Sequence, residues 1–378
     1  MTDSTQNTIH FHRKHHQAML SGEKVSTVRW NEAVPVGRAR FVFDDDPTTG
    51  PLDGTVLSVR RHRLDTLTAE QAHQPAGTDM AVFARQLREN YYPEMPDDAV
   101  VEVAELVVDT PPIAASGSTV FHREFGDPAA PPLVLIHGLY GDSSSVVPVA
   151  EALARQFRVI APDMLGHGRS SRPEHFTLAD QGAAVNDLIA ALGYDTAAVV
   201  GISMGSYVAA QAAILDPART THLVLVVSKA HGTTSSVAAY IARRGIDTRS
   251  VAPEELLQLI GGALWSPDTP QERRDAITGT PPAGQVILDD AERAAVERSL
   301  AGFDLRPDLP RITARTLVLS GGSDGLNPPA AGEELAALIP DATFRVYEHS
   351  GHMLTDEEPE RFIADVTAFI SSTATGPR

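Results

Sequence analysis

Residues 197–213 read AAVVGISMGSYVAAQAA, and this stretch decides the fold of the larger part of the chain. Its first four residues are apolar and suit a buried β-strand, whereas the small residues that follow Tyr207 suit a closely packed helix. Between them lies the pattern Gly-x-Ser-x-Gly, which places Ser203 on a strained turn from strand to helix. Glycine at 201 and 205 leaves room for neighbouring backbone at that turn. The stretch therefore predicts an α/β unit in which Ser203 is a nucleophile.

Two further loops, each placed after an apolar strand pattern, carry the partners that a serine nucleophile needs. The strand pattern 316–321 leads to Asp324, and the pattern 344–349 leads to His352. Loops at the carboxyl ends of parallel strands meet at one edge of a sheet, so we expect these side chains to converge. Ser203 would attack the substrate, His352 would accept its proton, and Asp324 would orient the imidazole.

Each partner has an alternative interpretation. His349 is a rival base, but it falls inside the predicted strand, where it would pack against that strand or cap it. Asp324 could serve only as a turn former, since Asp and Gly dominate turns. The chain order serine, aspartate, histidine, with each residue after its own strand, favours the catalytic interpretation.

An oxyanion hole is predicted after the apolar strand 133–136, where the chain reads HGLYG. The flexible His-Gly turn allows a backbone N–H to face the nucleophile. We expect that donor to be the amide of Leu139, with Tyr140 as the alternative, and the second donor to be the amide of Met204. We interpret His137 as a residue that holds this loop by hydrogen bonds.

Together these motifs resemble those of the α/β-hydrolases over residues 112–372. The resemblance is carried by His137-Gly138, Gly166-His167-Gly168, the segment 201–205, Asp324 and Gly351-His352. It implies a doubly wound, mostly parallel sheet with a helical cap, here at 232–310. Because the nucleophile is serine, it also implies a small-molecule acyl substrate whose ester, thioester, lactone, amide or carbon–carbon bond is hydrolysed.

The expected cap contains three segments with helical periodicity, at 237–243, 253–265 and 289–300. Four apolar residues of the cap and core are candidates to line an acyl pocket: Leu257, Ile260, Trp265 and Met204. The alternative for each is that it packs the cap onto the core. Tyr140 is a further candidate for contact with the substrate.

Composition narrows the function classes. The chain has 378 residues and no cysteine, which excludes disulfides, thiol catalysis and cysteine-ligated zinc. Its formal net charge of −18 opposes broad electrostatic binding to nucleic acid. Residues 1–30 are polar and no apolar run approaches the roughly 20 residues that span a bilayer, so we expect a cytoplasmic protein without membrane contact. We expect neither a cofactor nor a metal site, because the histidines near the start lack interleaved carboxylates.

The chain is predicted to hold two domains, 1–108 and 109–378. Pro111 and Pro112 follow the β-like run 100–108, and two successive prolines suit a linker. The first domain alternates β-like pieces with turns and shows strong helical periodicity only around 81–90. This pattern predicts a small α+β barrel with one or two helices.

Residues 22–29, GEKVSTVR, resemble the G-x-K-x-x-x-x-R signature of ASCH domains, which are relatives of the PUA RNA-binding barrels. Supporting similarity lies at 37–40, 64–68 and 91–93. Three side chains are candidates to converge on a nucleoside or RNA ligand: Lys24, Thr27 and Arg29. The alternative is a solvated, charged surface.

Some ASCH proteins are amidohydrolases that deacetylate N-acetylcytidine with a lysine, a threonine and a glutamate. Lys24 and Thr27 match the first two positions, but no carboxylate lies near Pro75, where the glutamate is expected, and Glu70 comes several residues early. We therefore interpret the chain as a serine hydrolase whose barrel contributes ligand recognition. The alternatives are a barrel that only packs or dimerises, an ASCH-type amidohydrolase, and a nucleic-acid-binding protein with an accessory hydrolase domain.

Overall fold

The structure is a computed structural model that describes residues 7–20, 24–45, 50–74, 77–109, 113–115, 117–247, 253–279, 282 and 284–372. The chain divides into two compact units: residues 1–110 make up nearly all of the first, and residues 111–281 and 285–378 form the second. Each unit has a hydrophobic core of its own. None of the described helices combines the length and apolarity that crossing a bilayer requires.

The first unit is a five-stranded sheet with two helices in its described residues. Its strands are β1 Asn7–Phe11, β2 Ser26–Arg29, β3 Gly37–Phe43, β4 Leu52–Arg63 and β5 Val100–Val108, and its helices are α1 His16–Leu20 and α2 Met80–Asn90. The hydrogen-bonded order is β1-β3-β4-β5-β2, with β1 parallel to β3 and the other pairs antiparallel.

Side chains on the two faces of this sheet bury separate apolar clusters. In β5, Ala104 and Leu106 belong to one cluster, while Val101 and Val103 belong to the other, as the strand period of two requires. The predicted closure into a barrel is not confirmed, because β1 and β2 are the two ends of the strand order. A hydrogen bond from the Arg29 guanidinium to the His10 carbonyl joins these two strands.

The second unit is built on a seven-stranded sheet with the order β14-β13-β12-β11-β9-β10-β8. A hairpin of β6 Ile113–Ala115 and β7 Ser118–Val120 precedes it. The sheet strands are β8 His122–Phe125, β9 Pro132–Ile136, β10 Arg158–Pro162, β11 Ala197–Ile202, β12 Thr220–Val226, β13 Arg315–Gly321 and β14 Ala342–Tyr347. Only β8 runs antiparallel to its described neighbour. The central strands are buried runs of Val, Leu and Ile, as in parallel sheets covered on both faces, and the predicted mostly parallel sheet is confirmed.

The helices of the second unit form two groups: one accompanies the sheet, and the other lies between β12 and β13. The sheet is accompanied by α3 Val147–Leu153, α4 Leu178–Ala191, α5 Met204–Leu215, α10 Pro329–Leu338, α11 Leu354–Glu357 and α12 Pro359–Ser371. Four described helices lie between β12 and β13, where the cap is predicted: α6 Ser236–Arg243, α7 Pro253–Gly262, α8 Gln271–Thr278 and α9 Asp290–Leu300. The prediction for α7 was too long, since two glycines end that helix and leave Trp265 beyond it. The helix α8 was not predicted from the sequence.

Candidate active site

Ser203 lies on a sharp turn between β11 and α5. Its backbone φ is 53°, in the left-handed region that residues other than glycine rarely adopt. The Ser203 N–H donates to the carbonyl of Val226 at 2.9 Å, which ties the turn to the end of β12. The flanking glycines are required by close approach: a Cβ on Gly201 would lie 2.2 Å from the Gly205 carbonyl oxygen, and one on Gly205 would lie 2.4 Å from that of Ile136. The Gly-x-Ser-x-Gly pattern therefore follows from backbone packing.

The three predicted catalytic side chains meet in the structure. His352 Nε2 lies 2.9 Å from Ser203 Oγ, and His352 Nδ1 lies 2.8 Å from Asp324 Oδ2. Asp324 and His352 follow the adjacent parallel strands β13 and β14. The Asp324 side chain is fully buried and that of His352 is 10% exposed. A carboxylate at Nδ1 favours the tautomer in which Nε2 accepts a hydrogen bond from the serine hydroxyl.

The other oxygen of Asp324 is held by its own loop. The amides of Leu326 and Asn327 donate to Asp324 Oδ1 at 2.8 and 2.9 Å. These two donors fix the carboxylate so that Oδ2 remains directed at His352.

The Asn327 side chain links this loop to the nucleophile helix. Its Nδ2 donates to the Tyr207 hydroxyl at 2.8 Å and to the Val227 carbonyl at 2.7 Å, and its Oδ1 accepts from Ser236 at 2.7 Å. Val227 has a φ of 47°, an uncommon conformation for a β-branched residue. Asn327 thus holds together the Asp324 loop, α5 and the strained end of β12.

The rival base His349 lies in an exposed turn after β14 and not within the strand as predicted. Its side chain is 76% exposed, and its Nδ1 lies 2.8 Å from Asp268 Oδ2. The hydrogen bond to Asp268 raises the pKa of His349. This histidine is therefore a surface partner of Asp268, whereas His352 is the one at hydrogen-bond distance from Ser203.

The loop after β9 borders the nucleophile. A Cβ on Gly138 would lie 3.7 Å from Ser203 Cβ. Leu139 follows with a side chain that is 40% exposed, and Tyr140 has a φ of 61°. Met204 is the first residue of α5, so its N–H has no acceptor within the helix. The predicted oxyanion donors thus belong to the two segments that flank Ser203.

His137 anchors that loop with two hydrogen bonds of a neutral imidazole. Its Nδ1 lies 2.8 Å from the Gly138 carbonyl oxygen, and its Nε2 accepts the Met164 amide at 3.1 Å. Burial lowers the pKa of His137, which keeps the ring neutral. The ring thereby joins the loop after β9 to the loop after β10, and these contacts match the holding role predicted for it.

Comparison with known families covers most of this second unit. Residues 133–366 match the model described as "Alpha/beta hydrolase family", which is more than half of the chain. The chain belongs to this family. The match leaves out residues 1–132, so the ASCH resemblance remains a prediction.

Individual α/β-hydrolases are similar over the same region. The chain is 29% identical over 260 residues to 3-oxoadipate enol-lactonase 1 of Acinetobacter baylyi, covering 68% of this chain and 94% of that protein. It is 27% identical over 248 residues to the pimeloyl-[acyl-carrier protein] methyl ester esterase of Aliivibrio salmonicida, covering 63% and 91%. Among solved structures, the enol-lactonase from Burkholderia xenovorans LB400 is similar with a TM-score of 0.59 and 26% identity, covering 69% and 100%. This α/β-hydrolase is therefore a hydrolytic enzyme of the esterase or lactonase type.

The segment after α7 packs against the loops that carry His352 and Asp324. The Met353 amide donates to the Leu264 carbonyl at 3.1 Å, and the Gly325 amide donates to the Ala263 carbonyl at 2.9 Å. Trp265, predicted to contact substrate, is only 6% exposed within this segment.

A buried carboxylate, that of Glu357, ties this segment to the histidine loop. It accepts hydrogen bonds from the Ser266 amide at 2.8 Å, the Thr269 hydroxyl at 2.5 Å and the Gly351 amide at 2.6 Å. Gly351 immediately precedes His352 in the chain. The segment after α7 is therefore hydrogen-bonded to the loop that carries His352, the predicted base.

The other predicted pocket residues have different surroundings. Met204 is buried, Ile260 is half-buried, and the side chain of Leu257 lies outside the described residues. The Tyr140 hydroxyl donates to the Glu297 carboxylate on α9. Burial and this hydrogen bond raise the pKa of Tyr140 to about 12, so its phenol stays neutral.

A cavity of about 850 Å³ opens between α3, α8 and α12. Its lining includes Ile202, the residue before Ser203, but none of the three predicted catalytic side chains and neither Tyr140 nor Trp265. The cavity therefore does not enclose the predicted triad.

In the first unit, the predicted ligand residues lie in and beside β2. The Arg29 Nε donates to Thr27 Oγ1 at 3.1 Å, as expected for residues on one face of a strand. Arg29 also donates to Glu32 at 3.0 Å. Burial, with the charges of Arg29 and Lys14, lowers the pKa of Lys24 to about 8, and Lys24 forms no ion pair with a described carboxylate. Pro75, where the ASCH glutamate is expected, lies outside the described residues.

Three residues near the active site were missed by sequence reasoning: Asn327, Glu357 and Lys229. Each follows a predicted strand end or site residue closely, since Asn327 shares the Asp324 loop, Glu357 comes after His352, and Lys229 comes after β12. Asn327 and Lys229 lie just beyond the carboxyl ends of β13 and β12, where parallel sheets place polar site residues, whereas Glu357 lies in α11 and has no such signal.

Proposed function

We propose that this α/β-hydrolase cleaves a small ester or lactone through Ser203, His352 and Asp324. The observation that carries the proposal is the hydrogen-bonded line from Ser203 Oγ to His352 Nε2, and from His352 Nδ1 to the Asp324 carboxylate. Serine alone is a poor nucleophile near neutral pH, and this line supplies the base it needs. Relatives named as an enol-lactonase and a methyl ester esterase support the two bond types.

The reaction begins when Ser203 Oγ attacks the substrate carbonyl carbon and its proton passes to His352 Nε2. The buried Asp324 carboxylate stabilises the imidazolium that forms. Negative charge on the substrate oxygen is stabilised by the amides of Met204 and Leu139, with the Tyr140 amide as the alternative to Leu139. The amino-terminal end of α5 contributes its partial positive charge at the same place.

The tetrahedral intermediate then collapses to an acyl-enzyme. The leaving oxygen takes the proton from His352, and the acyl group remains on Ser203 Oγ. A water molecule attacks that ester while His352 accepts one of its protons. The bond from the acyl carbon to Ser203 Oγ then breaks, Oγ takes the proton back from His352, and the acid is released. With a lactone the leaving oxygen stays attached to the acyl group, so the product is a single hydroxy acid.

Alanine variants test this assignment on a simple ester such as 4-nitrophenyl butyrate. Ser203→Ala and His352→Ala should each lower kcat by roughly 10⁴-fold or more, and the double variant should be no worse than either one, because the triad acts as a unit. Circular dichroism checks that each variant is folded. A folded Ser203→Ala protein that keeps wild-type kcat would show that another residue carries the chemistry.

We further propose that the first unit binds a nucleoside or a short RNA segment through Lys24, Thr27 and Arg29. The supporting observation is that Lys24 is half-buried and forms no ion pair with a described carboxylate, while burial and the charge of Arg29 lower its pKa to about 8. Burying a charge without a partner costs free energy, which an anionic or carbonyl-bearing ligand would offset.

Titration calorimetry on the full-length protein tests this second proposal. Cytidine 5′-monophosphate should bind, and Lys24→Ala should weaken its binding by at least about tenfold, as expected for the loss of a charged hydrogen bond. Long duplexes should bind poorly because the net charge of −18 repels them. Equal binding by wild type and Lys24→Ala would contradict the proposal. Deacetylation of N-acetylcytidine that survives Ser203→Ala but is lost in Lys24→Ala would instead identify an ASCH-type amidohydrolase.

A further inference from the structure

The positively charged Lys229 follows the strand that is hydrogen-bonded to the Ser203 turn. It follows the end of β12, where the Val226 carbonyl accepts the Ser203 N–H. Its Nζ lies 5.9 Å from the centre of the Tyr207 ring and 6.0 Å from that of the Phe303 ring. Tyr207 is about one turn along α5 from Ser203, so the two residues lie on the same side of that helix. The ammonium therefore lies near a residue of α5 that is one turn from Ser203.

Arg243 brings a second cation to the same region from the cap. It is the last residue of α6, and its Nη2 donates to the Gly325 carbonyl at 2.6 Å. Gly325 follows Asp324 directly. Gly325 lies two residues before Asn327, whose side chain binds the Tyr207 hydroxyl, so the two cations contact one group of neighbouring residues. Burial and the charge of Arg243 lower the pKa of Lys229 to about 8.

Neither cation forms an ion pair with a carboxylate in the part of the chain that the structure describes. The described polar partners of Lys229 and Arg243 are the backbone carbonyls of Thr234 and Gly325. This lack of carboxylate partners is local, because the whole chain has 49 acidic residues against 31 basic ones. Lys229 is half-buried and Arg243 is exposed, and an anion placed between these two like charges would be attracted to both.

We propose that Lys229 and Arg243 select substrates that carry a carboxylate in addition to the ester or lactone group, an inference that rests on the proposed function. The carboxylate would accept hydrogen bonds from the ammonium and the guanidinium, while the carbonyl carbon lies at Ser203 Oγ. Selection by two localised cations suits a protein whose overall negative charge repels anions. A role for Lys229 in packing on Tyr207 and Phe303 alone would give no preference for charged substrates.

Two matched pairs of esters test this selection on the full-length protein. The pair 4-nitrophenyl hexanoate and adipic acid mono-4-nitrophenyl ester differs by a carboxylate on the acyl chain. The pair phenyl acetate and 4-acetoxybenzoate differs by a carboxylate on the leaving group. We expect kcat/KM of the wild type to be at least about tenfold higher for the charged member of one pair, the size of effect that a charged hydrogen bond gives.

The variants separate charge from packing. Lys229→Gln, Lys229→Met and Arg243→Gln should each lower the charged-to-neutral ratio of kcat/KM at least about fivefold in that pair, whereas Lys229→Arg should retain most of it. Arg311→Gln, which removes an exposed cation paired with Asp308, is the matched control and should leave the ratio unchanged. Having both a methionine and a glutamine variant keeps the test open if one of them fails to fold.

The outcomes for the two proposals are distinct. If the neutral esters are cleaved in a Ser203-dependent way and the ratio is the same in wild type and the Lys229 variants, the selection is wrong and the proposed function stands. If Ser203→Ala cleaves all four esters at the wild-type rate, the proposed function itself fails and the selection fails with it.

Discussion

The Asp324 carboxylate contacts His352 through Oδ2 and Nδ1 at 2.8 Å, and in the proposed mechanism this contact decides which imidazole nitrogen carries the proton. Replacing it by asparagine would present an amide N–H to that nitrogen and favour the wrong tautomer. We expect Asp324→Asn to lower kcat by about 10⁴-fold in steady-state ester hydrolysis, with the fold retained.

His349→Gln is the matched control for His352, the proposed base. Because His349 is exposed and paired with Asp268, the variant should keep most of the wild-type kcat. If His349→Gln is inactive while stably folded and His352→Gln is active, the base has been assigned to the wrong histidine.

At this scale the sequence predicted the residues whose chemistry is marked by a short local pattern. Ser203, Asp324 and His352 each follow a recognisable strand, and the structure brings their side chains together. The position of Asn327 after β13 is a signal of a site residue, but its role could not be predicted in the same way, because its partners Tyr207 and Val227 come from distant parts of the chain. Tertiary contacts, and not local pattern, define its place.

Among the structural elements, the cap segment after α7 and the loop of His352 are coupled by one buried carboxylate. Glu357→Ala would leave the Ser266 amide, the Thr269 hydroxyl and the Gly351 amide without their acceptor. Because unsatisfied buried donors are costly, we expect the free energy of unfolding to fall by about 2–4 kcal/mol. A shift of the His352 loop should also lower kcat at least about tenfold, since the base must be well aligned.

Urea unfolding and steady-state kinetics measure the two effects of Glu357→Ala. Glu333→Ala, which removes an exposed carboxylate on α10, should change stability by less than about 0.5 kcal/mol and serves as the control. A Glu357→Ala protein with wild-type stability and kcat would show that the carboxylate does not position the base.

The elements that could be predicted are those with a strong apolar pattern. The buried Val-Leu-Ile strands of the second unit and the amphipathic helices α6 and α9 were predicted close to their observed bounds. The helix α8 reads QERRDAIT and has no apolar stripe to reveal it, since none of its residues is buried. His349 was placed in β14 because its neighbours look β-like, but the strand ends at Tyr347.

In the whole molecule, the unfolding of the two units can be followed separately by fluorescence, because the chain has two tryptophans, Trp30 in the first unit and Trp265 in the second. The first unit contains Lys24, whose pKa is lowered from 10.5 to about 8, mainly by burial. Between about pH 8 and pH 10.5, Lys24 is more fully protonated in the unfolded chain than in the folded one. Lys24 therefore makes the free energy of unfolding rise with pH in this range. Its destabilising effect is therefore fully present below about pH 8 and amounts to on the order of 3 kcal/mol at most.

We accordingly expect Lys24→Met to raise the free energy of unfolding of the first unit at about pH 7 by on the order of 1–3 kcal/mol. The gain should shrink at about pH 10, where the folded wild type no longer carries that charge. Urea unfolding followed by Trp30 fluorescence in a Trp265→Phe background measures it. A variant that is less stable than wild type at both pH values would show that Lys24 supports the fold.

The organisation into two units agrees with the change of pattern near Pro111, while the ASCH resemblance of the first unit rests on its short motif. The second unit is assigned to the α/β-hydrolase family by a match over residues 133–366, which include Ser203 and His352. The acyl group of the substrate is not encoded by fold and triad, which many chemistries share.

The central claim is that Ser203 is the nucleophile of this hydrolase, and covalent labelling tests it most directly. A fluorophosphonate probe should modify the wild-type protein once, and mass spectrometry of its peptides should place the adduct on Ser203, because the His352 contact at 2.9 Å activates that hydroxyl. Ser203→Ala should not be labelled. Equal labelling of wild type and Ser203→Ala, or an adduct on another serine, would contradict the account.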